Sequence, residues 1–188
     1  MRFSTFLFAA AFTGALMMGC NGQQRQAKNI AQLQQQVDSL LSNTPVLSPE
    51  NRALTNELIA AYLDYAKAYP SDTLSAMYTF EAAGLKTQLP DLKGAIAVYE
   101  EVYTNFPESR YAPMSMLAVA GLWDITLGEP ETARPYYELL LEKYPIEAGQ
   151  YGIENTLKTL GMSPEASLEM IMQGKTDTLD ISEASSGE

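Results

Sequence analysis

Three aromatic–proline pairs frame this chain: Tyr69-Pro70, Phe106-Pro107 and Tyr144-Pro145 recur at intervals of 37 and 38 residues. Proline has no backbone donor and pushes the residue before it out of the helical region, so each pair is a helix stop. Stops at that interval leave room for two helices and two turns per period, the length of a helical-hairpin repeat. The match extends into the helices. Tyr62, Tyr99 and Tyr137 lie about two turns before each proline, and Ala95 and Ala133 lie four residues before the second and third of these tyrosines. A small residue one turn from an aromatic lets two helices approach while the ring fills the next groove. Gly84 and Gly121 both follow a proline by fourteen residues, on the preceding helix of each hairpin. They are expected to permit close helix contact at about 1 kcal/mol in propensity. Pro113 and Pro135 fall about one turn inside their predicted helices, where later starts or kinks are expected.

Composition then narrows the chemistry. The 188 residues contain no His and one Cys, with 12 Lys plus Arg against 23 Asp plus Glu. Without imidazole or a second thiol there is no Ser/His/Asp or Cys/His nucleophile system, His-ligated zinc, CxxC pair or internal disulfide. The net charge of −11 and the lack of a basic run argue against nucleic acid. Paired acids such as Glu100-Glu101 and Glu129/Glu131 read as solvated helix faces, with no ligand loop beside them. The expectation is a non-enzyme, with no catalytic residue, metal or cofactor.

The N-terminus reads as an address. Residues 1–19 place Arg2 before an apolar run from Phe6 to Met18, ending at Gly19, the layout of a secretory signal. Residues 20–47 form a polar segment: 21–28 is a Gln-rich tether, and Ile30, Leu33, Val37 and Leu40 then mark one face of a short amphipathic helix over 28–42. That face either packs on the following domain or forms a short coiled coil. Asn43-Thr44-Pro45 breaks the helix, and Ser48-Pro49-Glu50 opens the next with a capping Ser and a first-turn Pro. Helical stretches and Pro- or Gly-marked turns alternate over 48–174, and 175–188 is an acidic, Ser-rich tail expected to be disordered.

Two resemblances rest on these residues. Leu16-Met17-Met18-Gly19-Cys20 resembles the lipobox of bacterial lipoproteins, with Met17 where the family usually has Leu. That resemblance implies cleavage before Cys20, acylation of its thiol and attachment to a membrane. Asn21-Gly22-Gln23-Gln24 lacks the acidic retention signals of such proteins, which implies the periplasmic side of the outer membrane.

AVAGLWDITLGEPETARPYYELLLEKYP, with Gly121, Gly128, Ala133, Tyr137 and Pro145, resembles the tetratricopeptide repeat. An earlier copy runs through Gly84, Ala95, Tyr99 and Pro107, and a third carries Gly161 and Ala166, with Met170 at the aromatic position. Residues 49–69 supply a cap or half-repeat with Leu58 in place of Ala. The implied fold is all-α, a short α-solenoid of antiparallel hairpins. The longer link Phe106–Pro113 resembles that of BamD-type outer-membrane assembly lipoproteins and Tol-Pal-associated periplasmic factors.

Such arrays line their inner groove with the first helix of each hairpin. By resemblance, Tyr78, Glu81, Leu85, Ser115, Leu122, Tyr151, Asn155 and Lys158 are the candidate partner-binding residues, and Trp123 is a candidate anchor or core residue. The expected role is a membrane-anchored scaffold for envelope proteins or peptides, with a membrane but no nucleic acid as further partner. A glycan- or nutrient-binding lipoprotein and a carboxylate-based cell-wall enzyme are the alternatives.

Overall fold

The computed structural model describes the backbone of residues 7–43, 48–170 and 172, and the side chains from residue 22 onward except at 43 and 50. The tail 175–188 and the start of the leader lie outside the described residues. The fold is all-α. In chain order the helices are α1 (Leu7–Asn43), α2 (Pro49–Ala68), α3 (Thr73–Thr87), α4 (Leu92–Asn105), α5 (Tyr111–Gly121), a π-helical turn (Leu122–Thr126), α6 (Pro130–Lys143), α7 (Pro145–Tyr151) and α8 (Ile153–Thr159). Residues 164–170 are also helical. The chain divides into two compact units, Met1–Ser115 and Met116–Glu188, with α5 passing from one to the other.

The helix stops fall where the aromatic–proline pairs predict, and they share one geometry. Tyr69 (φ −130°, ψ 60°), Phe106 (−131°, 53°) and Tyr144 (−134°, 61°) cap α2, α4 and α6. Each donates its amide four residues back, to the carbonyls of Tyr65, Val102 and Leu140. The cap makes one last α-type bond before the proline ring forbids the next. All three acceptor residues are buried, so each stop lies over a core side chain. At the first two stops the cap carbonyl then closes a turn: Asp72 N donates to Tyr69 O at 2.9 Å and Ser109 N to Phe106 O at 3.0 Å. At the third, Pro145 opens α7 directly, with Ala148 N on Tyr144 O at 2.8 Å.

In the first unit α1 lies antiparallel on α2. Ile30, Leu33 and Val37 are buried and Leu40 is exposed, so the amphipathic stripe packs on the domain over its first three positions. Residues 49–69, read as a half-repeat, thereby acquire a hairpin partner. The tether expectation also changes: residues 21–28 continue α1 without a break. The Gln23 side-chain amide donates to the Tyr65 phenol (3.0 Å) and to the Asp72 carboxylate. Glutamine is a good helix former, and these bonds compensate for its small apolar content.

Helix α3 packs on both α2 and α4. It buries Ser75, Ala76, Tyr78, Thr79, Ala82 and Ala83, with Ala82 and Ala83 fully enclosed. Side chains that small leave room for a helix on either side. Helix α4 answers with Ala95, Ile96, Val98, Tyr99 and Val102.

In the second unit α6 buries Ala133, Tyr137 and Leu140 and packs on the π-turn, α7 and α8. Gly128 (φ 70°) and Gly161 (φ 79°) occupy the left-handed region at two of the interhelix turns, as turn glycines should. The third copy departs from the pattern: Ala166 and Met170 are exposed, where Ala95, Ala133, Tyr99 and Tyr137 are buried.

The close-approach reading of the mid-helix glycines needs correction. A Cβ built on Gly121 meets nothing within 4 Å, and one on Gly84 meets the Tyr99 phenol at an ordinary 3.5 Å. Pro113 lies in the first turn of α5, where its missing donor has no helical partner, whereas Pro135 lies inside α6 at an exposed position.

Gly121 has ordinary helical angles, so Gly121→Ala is expected to raise the unfolding free energy by about 0.5–1 kcal/mol. Gly128→Ala is expected to lower it by about 1–2 kcal/mol, because Ala resists positive φ. Denaturant titration of both variants checks the opposite signs.

Candidate interaction surface

The residues proposed for partner contact start on α3. Tyr78, Glu81 and Leu85 follow a helical face, but the structure separates them. Tyr78 is buried: its ring stacks on Tyr62 (centroids 5.0 Å, 27°) and meets Tyr65 edge-on (4.9 Å, 88°), and Tyr65 in turn touches Tyr69 at 4.9 Å. Each such pair adds about 0.5–1.5 kcal/mol beyond area burial. Tyr78 is therefore a core residue that joins α3 to α2, and its assignment to the groove is corrected. Ser115 is corrected likewise: it is fully buried, and its hydroxyl has no hydrogen-bond partner among the described residues.

Glu81 is exposed and Leu85 is half-buried. The Glu81 carboxyl is held above its ordinary pKa, first by partial burial and then by the Asp38 carboxylate. Burial also raises the Tyr62 and Tyr99 phenols, and Glu81 adds to both. This face of the first unit is thus acidic over tyrosine.

In the second unit Leu122 is half-buried, and Tyr151, Asn155 and Lys158 are exposed. The expected single face through Tyr151, Asn155 and Lys158 is interrupted. Gly152 adopts φ 69°, ends α7 at Tyr151 and caps the start of α8. Asn155 and Lys158 stay one turn apart on α8. Trp123 lies half-buried in the π-turn, its indole N–H buried with no partner among the described residues. Across the same unit the Tyr137 phenol donates to Asp124 at 3.3 Å. Burial first, and then the Asp124 carboxylate, push its pKa up to about 12.

A feature that the sequence reading did not place is a cleft of about 530 Å³ between the two interhelix turns of the first unit. Pro70 to Thr73 form one wall, Asn105 to Tyr111 the other, and Ala76 the floor. Phe80 backs it, 5.3 Å from the Tyr111 ring and 5.4 Å from Tyr99. The Arg110 guanidinium lies 4.9 Å over the Tyr111 ring and donates to its phenol at 2.8 Å. The Ser109 hydroxyl, also on this wall, is buried without a partner among the described residues. Its sequence signal was the long link Phe106–Pro113, whose extra residues build that wall. A second cleft of about 560 Å³ lies on the other side of Phe106, against Leu63, Lys67 and Glu101.

Among the described residues no three His, Cys, Asp or Glu side chains come together as a metal set, and no helix is long and apolar enough to cross a membrane. The chain matches no family model, no curated protein and no solved structure.

Two outcomes separate core from surface. Tyr78→Ala is expected to cost about 3–5 kcal/mol of stability, and Leu85→Ala much less, by chemical denaturation. Raised phenol pKa values mean that the folded chain keeps protons the unfolded chain releases. Tyr137 therefore contributes stability that is fully present below pH 10 and is lost as pH rises towards about 12. Melting temperature against pH is expected to fall over that window, and to fall less steeply in Tyr137→Phe.

Proposed function

We propose that the chain is a lipid-anchored, tetratricopeptide-like helical scaffold that holds other proteins or peptides in the cell envelope, on the periplasmic side of the outer membrane. The single observation that carries this reading is the division of labour among its side chains. The repeated positions Tyr62, Ala95, Tyr99, Ala133 and Tyr137 are all consumed by packing. The first helices of the hairpins still present Glu81, Asn155 and Lys158, with Leu85 partly exposed. Stacked hairpins of this kind use such leftover positions to bind extended partners.

Acylation of Cys20 would confine the chain to the membrane plane and raise the local concentration of membrane-resident partners without any new contact. Outer-membrane protein assembly is the setting that the BamD-type resemblance implies. The role is passive: positioning rather than chemistry.

Photo-crosslinking residues introduced at Leu85 and Lys158 in intact cells test the reading, with Lys93 on the second helix of its hairpin as control. The expected result is a reproducible protein adduct from Leu85 or Lys158, absent from Lys93 and reduced at least tenfold in a Cys20→Ala chain. No reproducible adduct from either position would end the scaffold reading. A Cys20→Ala chain that still partitions with membranes would end the anchor reading. A melting-temperature rise with one member of a sugar panel would favour the glycan-binding alternative.

A further inference from the structure

We infer that the bilayer interface itself covers one end of the first unit, the end built from the Tyr69–Asp72 and Phe106–Arg110 turns. The inference rests on acylation of Cys20 in the reading above and adds the orientation of the folded body to it.

The first observation is how close Cys20 lies to a packed contact: it sits on α1, and two positions further along a Cβ on Gly22 would lie 3.5 Å from the Tyr69 phenol oxygen. Gln23 follows at once, bonded to Tyr65 and Asp72. One residue, Asn21, separates Cys20 from this contact, so the two Cα positions lie at most about 7 Å apart even if that link is extended. Asp72 caps the start of α3, its carboxylate accepting from Leu74 N at 2.7 Å. The anchor point is thus tied to the α2–α3 turn. The cleft between Pro70–Thr73 and Asn105–Tyr111 makes the α4–α5 turn its neighbour at the same end.

The second observation is independent of the cysteine. Tyr69, Phe106 and Tyr111 stand half-exposed at this end. The segments at the opposite end, residues 38–42, 48–55 and 85–98, contain no aromatic residue at all. Helix α2, with 20 residues, separates the two ends by about 30 Å. Aromatic rings with a polar edge concentrate at the headgroup level of bilayers. Around them lie the uncharged Pro70, Ser71, Thr73 and Pro107, the half-exposed Asp72 and exposed Glu108 carboxylates, and the exposed cations Lys67, Arg110 and, two residues beyond Gln23, Arg25. Arg110 and Lys67 can meet lipid phosphates while their stems lie along the aromatic surface.

The first unit therefore stands upright on the membrane by its two turns, and the 530 Å³ cleft opens at headgroup level. The test uses the full lipidated protein in phosphatidylethanolamine–phosphatidylglycerol vesicles carrying a nitroxide-labelled lipid. With Cys20 acylated, Ser71→Cys or Lys93→Cys supplies the only free thiol for a bimane label, since the chain has one Cys. Both positions are exposed, at opposite ends of the unit. Quenching at Ser71→Cys is expected to exceed that at Lys93→Cys at least threefold. Inserting six flexible Gly/Ser residues between Asn21 and Gly22 is expected to bring the two together. Equal quenching in a sample whose intact mass shows acyl chains on Cys20 would overturn the orientation and leave the anchor standing. An unacylated Cys20 in the exported chain would overturn both.

Discussion

The structure depends on one backbone event repeated three times: an aromatic residue gives its amide to a carbonyl four residues back, and the following proline ends the helix. Because the acceptors are the main-chain carbonyls of Tyr65, Val102 and Leu140, whose side chains are buried, each stop is tied to a residue held in the core rather than left to fray at the surface. Fixing where each helix ends also fixes the phase at which the next begins. The similar angles at Tyr69, Phe106 and Tyr144 mean that successive helices leave their stops in the same way, although the third stop passes straight into α7.

The tyrosines give this framework its rigidity and its electrostatic character. Tyr62, Tyr65, Tyr69 and Tyr78 form one contiguous stack across α2 and α3, and Phe80 links Tyr99 to Tyr111 across α3, α4 and α5. Phenols tolerate such burial because they stay neutral while offering one donor, as Tyr137 does to Asp124. A histidine-free chain with an acidic surface thus keeps its packing interactions uncharged through the neutral range and leaves carboxylates such as Glu81 outside them.

Legibility followed the physics of each signal. The proline stops, the Ile30–Leu33–Val37 stripe and the buried Ala–Tyr pairs could be read because sterics and periodicity act locally in sequence. Tyr78 and Ser115 were misplaced because a helix-face argument gives a direction, not a neighbour. Helix α3 is enclosed on two sides, so a residue assigned to its open face can still be inside. The break at Gly152 was missed because glycine in a helical pattern looks the same whether its φ is negative or positive. Gln23 was read as tether because its two acceptors lie 42 and 49 residues away. The cleft between the turns could not be seen for a similar reason: its walls are contiguous segments, but their facing each other is a tertiary fact.

The enclosure of α3 also orders the unit in time. Its Ala82 and Ala83 have no exposed surface, and its partners α2 and α4 both lean on it. Local opening needs a segment that can leave without exposing its neighbours, and α3 has no such route. Its amides, with those of α2, which lies between α1 and α3, are expected to exchange more slowly than the ends of α1 and α4. The first unit thus has a slow centre and faster margins. Opening therefore belongs to the edges, while the middle helices keep their spacing.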